Sequence, residues 1–266
     1  MSRDDAAALL EAYDAQLRAH VHDRLPGSIR CEWDGPVLRV TGFGDRGMVE
    51  YHDLAGLDGD ALDELIARQV EFFAACGQGF EWKLYGHDRP ADLPEHLREA
   101  GFEPEDEETV VIGRVDALPL EPAVPDGVTI REVTERVGMA GIAGLEEAVW
   151  DEDQGWLVDL WEEHVADPEG LRIFVAEAGD VTVSAGWVRF PSGTEFGTLW
   201  GGATLPEWRG RGIYKALVAE RTRLAAERGR RYMEVDASDD SRPILERLGF
   251  TAVTTTTPYV WSPPEA

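Results

Sequence analysis

The sequence predicts an α/β (α+β) protein arranged as two tandem domains, and three features lead to that expectation. Short apolar runs of strand length alternate with amphipathic stretches at helical spacing along the whole chain. Residues 115–127 carry Pro119, Pro122 and Pro125 among acidic spacers, the composition of a semi-rigid connector. Finally, Leu97-Arg98-Glu99-Ala100-Gly101-Phe102 returns as Leu245-Glu246-Arg247-Leu248-Gly249-Phe250, each time between two strand-like runs, which marks a duplicated module. The expected division is a first domain over 1–115, a linker over 116–126 and a second domain over 127–266.

In chain order, Leu9, Leu10, Tyr13, Leu17 and Val21 predict a first amphipathic helix. Strand-like runs follow at Ile29–Trp33, Val37–Thr41 and Met48–His52. Leu62, Leu65, Ile66, Val70 and Phe73 mark the buried stripe of a longer helix over 60–76. A strand at Glu81–Tyr85, a short helix at Leu93–Ala100 and a strand at Thr109–Gly113 complete this half.

The second half begins with a strand at Val128–Glu132 and a helix over 134–149. Next come Trp150, an acidic stretch and Trp156, then a helical turn set with Leu157, Leu160, Trp161 and His164. That segment reads as packing and solvated loop before it reads as a pocket for a cationic or aromatic amine, and His164 reads as a surface histidine. Gly179-Asp180 between two apolar runs, Leu171–Ala178 and Val181–Phe190, is a hairpin signal. A Gly-interrupted strand over 198–205 leads into a helix carrying Ile213, Ala216, Leu217, Leu224 and Ala225. A strand at Tyr232–Asp236, a helix from about Ser241 with Gly249 as its left-handed cap, and a strand at Pro258–Trp261 end the chain.

The most informative run is Pro206-Glu207-Trp208-Arg209-Gly210-Arg211-Gly212-Ile213-Tyr214, where a strand gives way to a helix. Lacking Cβ atoms, Gly210 and Gly212 let backbone N–H groups approach an anion, and the helix that starts there aims its unpaired amides the same way. Arg209 and Arg211 add charge suited to phosphate. No Gly-Lys-Ser/Thr follows, which argues against a nucleoside triphosphate site, and Lys215 stands where a dinucleotide loop needs a third glycine.

The run from about Leu171 to Trp261 resembles the GCN5-related N-acetyltransferase (GNAT) family. Its coenzyme signature, Arg/Gln-x-x-Gly-x-Gly/Ala, corresponds to Arg209–Tyr214, and its distal motif to Ile244–Phe250. Tyr214 stands where a small residue is usual, and Leu245 where the family often has the tyrosine that protonates the leaving thiolate. The resemblance implies two GNAT-like domains, each a mixed, mostly antiparallel sheet flanked by helices. It implies acetyl-CoA as co-substrate, held by Ala203, Thr204, Leu205, Arg209, Gly210, Arg211, Gly212, Ile213 and Tyr214, with Ser238 and Ser241 ahead of the distal helix. Ser241 has the alternative reading of a helix N-cap.

Acetyl transfer to an amine needs alignment, a polarised carbonyl and a proton acceptor. Backbone amides near 203–205 serve the carbonyl, and Glu195 and Asp236 are the candidate bases. The thiolate would take its proton from water, Ser241 or Tyr214. Leu54-Ala55-Gly56-Leu57-Asp58-Gly59-Asp60, before the first half's long helix, has aspartates and no arginine, so that half is expected to be structural or to help shape the substrate pocket. The expected function is transfer of an acetyl group to a small-molecule or peptide amine; the alternative is a non-catalytic acyl-CoA sensor or scaffold.

The 266 residues hold 52 acidic and 25 basic side chains, a net charge of −27, which speaks against nucleic acid as a partner. The 43% hydrophobic content is enough for two cores. Cys31 and Cys76 are expected as buried thiols, with no zinc spacing. No apolar run reaches the roughly eighteen residues a membrane span needs, and the amino terminus lacks a basic start. The expectation is a cytoplasmic monomer or homodimer.

Overall fold

A computed structural model describes residues 3–18, 20–21, 28–42, 46–150 and 155–264. The amino half runs α1 (Arg3–Gln16), β1 (Arg30–Asp34), β2 (Val37–Thr41), β3 (Gly47–Tyr51), α2 (Gly59–Ala75), β4 (Phe80–Tyr85), α3 (Leu93–Glu99), β5 (Glu103–Pro104) and β6 (Glu108–Arg114). After a 3-10 turn at Val115–Ala117 come β7 (Thr129–Glu132), α4 (Met139–Trp150), α5 (Trp156–Ala166), β8 (Leu171–Ala178), β9 (Val181–Arg189), β10 (Phe196–Thr204), α6 (Ile213–Glu227), β11 (Tyr232–Ala237), α7 (Arg242–Leu248) and β12 (Thr251–Trp261).

All the strands join one mixed sheet in the order β1-β2-β3-β4-β12-β6-β11-β10-β9-β8-β7, with β5 pairing β12. The order repeats itself. In each half a parallel pair, β3 with β4 or β10 with β11, is crossed by a helix, α2 or α6, and followed by a short helix and a strand. Those final strands are exchanged: β12 lies between β4 and β6, and β6 between β12 and β11. Each half is therefore completed by a strand of the other, and the two share a backbone ladder as well as side-chain contacts.

The alternation of side chains sorts the layers. Val49, Phe80, Trp82, Tyr259 and Trp261 pack with α2 and α3, and Val111, Met233 and Val235 pack with α6 and α7, on one face of the sheet. The opposite face is covered by α1, through Leu9 and Tyr13, and by α4 and α5. Because β11 alternates, Tyr232, Glu234 and Asp236 point to that second face.

Several expectations are corrected. The first helix ends at Gln16, and Val21 beyond it is 42% exposed. Cys31 is half-buried and Cys76 exposed, both as free thiols, so neither is a core residue. Cys76 lies at the C-cap of α2, where the chain leaves the core. The last strand begins at Thr251 instead of Pro258. Its threonines suit a strand by their β-branching but lack an apolar alternation.

Candidate active site

The parallel pairing of β10 with β11 covers only Phe196, Gly197 and Thr198 against Tyr232, Met233 and Glu234. Beyond Thr198 the strands part, while β10 stays paired with β9 through a bulge between Gly201 and Thr204. Glycine is required at Gly201: its φ is +70°, and a Cβ there would lie 2.5 Å from the Trp187 ring. A bulge bends its strand, and here it opens a wedge in the sheet. Arg221 of α6, 1% exposed, holds the wedge from below. Its Nη1 donates to the carbonyls of Trp187 and Trp200 at 3.0 and 3.1 Å, and its Nε to that of Leu217 at 3.0 Å. Burial pulls this guanidinium down to about 10. Sequence reading passed over Arg221; an arginine on the apolar stripe of a helix is the signal that marks it.

At the open end, Arg209, Gly210 and Arg211 are exposed. Gly210 and Gly212 have φ of +74° and +88°, and a Cβ on either would meet nothing within 4 Å, so backbone conformation and not crowding selects glycine. The first intrahelical bond of α6 runs from the Ala216 N–H to the Gly212 carbonyl, leaving the amides of Ile213, Tyr214 and Lys215 without an intrahelical acceptor. Arg209 Nε donates to the Thr204 carbonyl at 3.0 Å, and its terminal nitrogens have no partner among the described residues. Arg211 stacks on Trp208 at 4.5 Å. Tyr214 packs on Gly202, and burial raises its hydroxyl above the ordinary value, so it stays a phenol.

Some predicted residues stand elsewhere. The Leu205 amide is not free, since it donates to the Val183 carbonyl at 3.0 Å. Thr204 Oγ1 is turned inward to Ser184 Oγ at 2.8 Å, and Ser184 Oγ donates to the Ala203 carbonyl at 2.7 Å. Glu195 lies at the closed end of the β10–β11 pair, bound to Arg231 at 2.8 Å and to Gln16, and the Arg231 bond holds its carboxyl below the usual range. It is a surface ion-pair partner far along the strand from the wedge. Ser238 and Ser241 flank the wedge on the β11 side, with hydroxyls 3.2 Å apart. Ser241 occupies the N-cap position of α7 without a side-chain cap bond. Leu245 is fully buried in the core. His164 is buried too, its Nδ1 2.9 Å from the Leu171 carbonyl, so it is no surface histidine. Trp156 packs against Trp187 at 5.4 Å, whereas residues 151–154 of the acidic stretch lie outside the described residues.

Asp236 stands near the end of β11 on the second face of the sheet, and it meets a residue from the other half. Lys83 Nζ of β4 donates to Asp236 Oδ2 at 2.5 Å. Burial alone would lower the Lys83 ammonium, but Asp236, Tyr85 and Glu81 hold it well above its ordinary range. Glu234 was missed; it faces the same side two residues earlier and is 6% exposed. Burial, then the Asp236 charge, push its carboxyl well up. Among the described residues Asp236 Oδ1 is buried without a hydrogen-bond partner, and the Glu234 carboxyl lies beside the Asp236 carboxylate. The alternating strand Tyr232-Met233-Glu234-Val235-Asp236 was the available signal for two carboxyls on one face.

The amino half has the corresponding opening. There β3 and β4 pair only over Gly47–Val49 and Phe80–Trp82 before parting. Its own chain closes it. The Arg18 guanidinium sits over the rings of Tyr51 and Tyr85 at 5.1 and 4.2 Å and donates to Asp88 Oδ1 at 2.7 Å. Tyr51 donates to Asp88 Oδ2 at 2.5 Å. What remains is a cavity of about 360 Å³ whose lining includes Asp14, Asp53, Asp58 and Asp88. It belongs to the plugged half, away from the Gly-Arg turn.

A mixed sheet wedged open between two parallel strands, with a glycine turn and a helix start at the mouth, is a fold of the GNAT type. Residues 134–250 match the acetyltransferase (GNAT) family, and this part of the chain is a GNAT domain. The sequence matches no curated protein. The whole chain shares its fold with a GCN5-related N-acetyltransferase from Kribbella flavida, at TM-score 0.67 and 18% identity over 99% of this chain and 95% of that one. A tandem GNAT protein from the clavulanic acid biosynthesis pathway is similar at TM-score 0.63 and 14% identity, over 100% and 97%. A GCN5-related N-acetyltransferase from Sphaerobacter thermophilus gives 0.63 and 15%, over 88% and 83%. Among the described residues no helix is long and apolar enough to cross a membrane, and no group of acidic, histidine and cysteine side chains forms a metal site.

Proposed function

We propose that this chain is a cytoplasmic N-acetyltransferase that uses acetyl-CoA and acts on a small-molecule or peptide amine. The observation that carries the reading is the wedge between β10 and β11 ending at the left-handed Gly210 and Gly212. It offers the start of α6 and two arginines with uncommitted nitrogens to a pyrophosphate, in a molecule whose overall charge repels one. The amino-half opening is plugged by Arg18 and lined by four aspartates together with Arg89, His52 and His87.

The wedge passes through the sheet, so the thioester of a coenzyme bound at 209–214 reaches the face that carries Glu234 and Asp236. The amine nitrogen bonds to the acetyl carbon, the carbon–sulfur bond breaks, and CoA leaves as the thiolate. Asp236, whose Oδ2 is held by Lys83, takes the amine's proton. Tyr214, a phenol lying against the wedge, and Ser241 on the β11 side are the protein groups able to return a proton to the thiolate. Peptide N–H groups along the bulge serve the carbonyl oxygen.

Acetyl-CoA should raise the unfolding temperature, and free CoA should appear with a subset of an amine panel. No thermal shift and no release would sink the reading. One observation favours a second reading, an acyl-CoA sensor: Leu245 is wholly inside the core, so no acid stands there. Tight binding without turnover on any amine would mark the sensor.

A further inference from the structure

The face that receives the acceptor is not made by the GNAT domain alone. Glu50 of β3, Glu81 and Lys83 of β4, Glu108 of β6, and Glu234 and Asp236 of β11 all project to it. Lys83 spends its charge on Asp236. Among the described residues, Glu50, Glu108 and Glu234 have no cation within 4 Å, and Glu81 has Arg46 at 3.8 Å. A second, independent feature points the same way. Thr256 of β12 is 1% exposed, and its hydroxyl has no hydrogen-bond partner among the described residues. Register sets Thr256 directly across from Glu108 on one side and from Tyr85 on the other. Its side chain therefore rises among the acids, a buried oxygen without a donor.

We propose, building on the acetyltransferase reading, that the acceptor is a diamine or longer polyamine: its reacting nitrogen lies at Asp236, and its second ammonium binds Glu108 and Thr256 at the junction of the halves. Asp236 stands opposite Val110, two residues from Glu108, and such diagonal neighbours on a sheet are about 7–8 Å apart. An extended aliphatic diamine spans that distance. The groups facing Glu108 are Asp236 and Glu234 from β11, Lys83, Glu81 and Tyr85 from β4, and Tyr13 from α1. Burial, then Asp236, lift the Glu108 carboxyl to about 7, so it stays protonated in weak acid and is open to an ammonium above neutrality.

The test compares diaminobutane with butylamine on the full chain, by calorimetry in the presence of CoA and by CoA release from acetyl-CoA. At pH 8 the diamine should bind, and turn over in kcat/KM, about tenfold or more better than the monoamine, with the ratio shrinking below pH 7. Glu108→Gln should bring the ratio, measured on that variant, close to one at both pH values. Thr256→Val is the second variant and should lower it in the same direction. Equal binding of the two amines by the wild type, or a ratio that a folded Glu108→Gln leaves intact, overturns the proposal. Calorimetry decides this without turnover; absence of CoA release with any amine counts against the acetyltransferase reading instead.

Discussion

Lys83 Nζ meets Asp236 Oδ2 at 2.5 Å, although β12 and β6 lie between their strands and the two residues are far out of register. Lys83 is level with Pro258, whereas Asp236, through Val110, is level with Thr254. In a flat sheet, three strand steps of about 4.8 Å and this offset would put them beyond reach. Right-handed twist folds one diagonal of the sheet up on itself, and the pair spans that diagonal. The exchanged strands thus bring a lysine of one half to the reactive face of the other.

Replacing that lysine should do two kinds of damage. Lys83→Met leaves Asp236 and its neighbouring carboxyls without a counter-charge, which for a largely buried pair costs about 3 kcal/mol in urea unfolding. The kcat of the variant should fall more than its affinity for acetyl-CoA, because the cradle at 209–214 is untouched. A loss of coenzyme affinity with kcat unchanged would show that Lys83 supports the wedge and not the acceptor face.

The acids on this face set a pH dependence of stability. Glu108 keeps its proton in the folded protein up to about pH 7, whereas an unfolded chain releases it near 4.5. Between these values the folded state binds the extra proton, so stability should fall as pH rises from about 4.5 to 7 and then level off. Thermal melts of Glu108→Gln should lose that part of the slope, and an unchanged slope would remove Glu108 from the account.

At the mouth of the wedge, Gly212→Asp combines a side chain on a left-handed residue with a negative charge at the start of α6. Its backbone strain should cost about 1–3 kcal/mol. Coenzyme binding should disappear while the fold, read by circular dichroism, survives. Arg209→Ala should weaken binding about tenfold, the value of one charge-assisted hydrogen bond.

Arg221→Met tests the support beneath the wedge. It leaves the Trp187 and Trp200 carbonyls without the donor they share, in a site closed to water. A destabilisation of about 2–4 kcal/mol is expected, with weaker acetyl-CoA binding as the bulge relaxes. Stability at the wild-type level would mean that the bulge is set by Gly201 and Trp187 alone.

Strand exchange makes a prediction about truncation. A chain ending at residue 115 lacks β12 and β11, so β6 loses both of its ladders and β4 keeps only β3. It should be unfolded or associate through exposed edges, as seen by exchange of the β4 amides in NMR. A folded monomer of 1–115 would show that β6 can slide into the vacant place.

The sequence by itself determined what is local. The Gly-Arg turn, the strand that carries Asp236, the helix stripes and the repeated Gly-Phe endings are all set by conformational preferences and periodicities of a few residues. What the tertiary structure decided depends on distant partners. Glu195 reads like Asp236 as a strand acid, yet the closed end of the β10–β11 pair gives it Arg231 as an ion-pair partner. Leu205 reads as a free amide until β9 supplies the Val183 carbonyl. Arg221, Lys83 and Thr256 carry no motif, because their roles come from a bulge, a twist and a strand exchange, none of which the order of residues along one segment can specify.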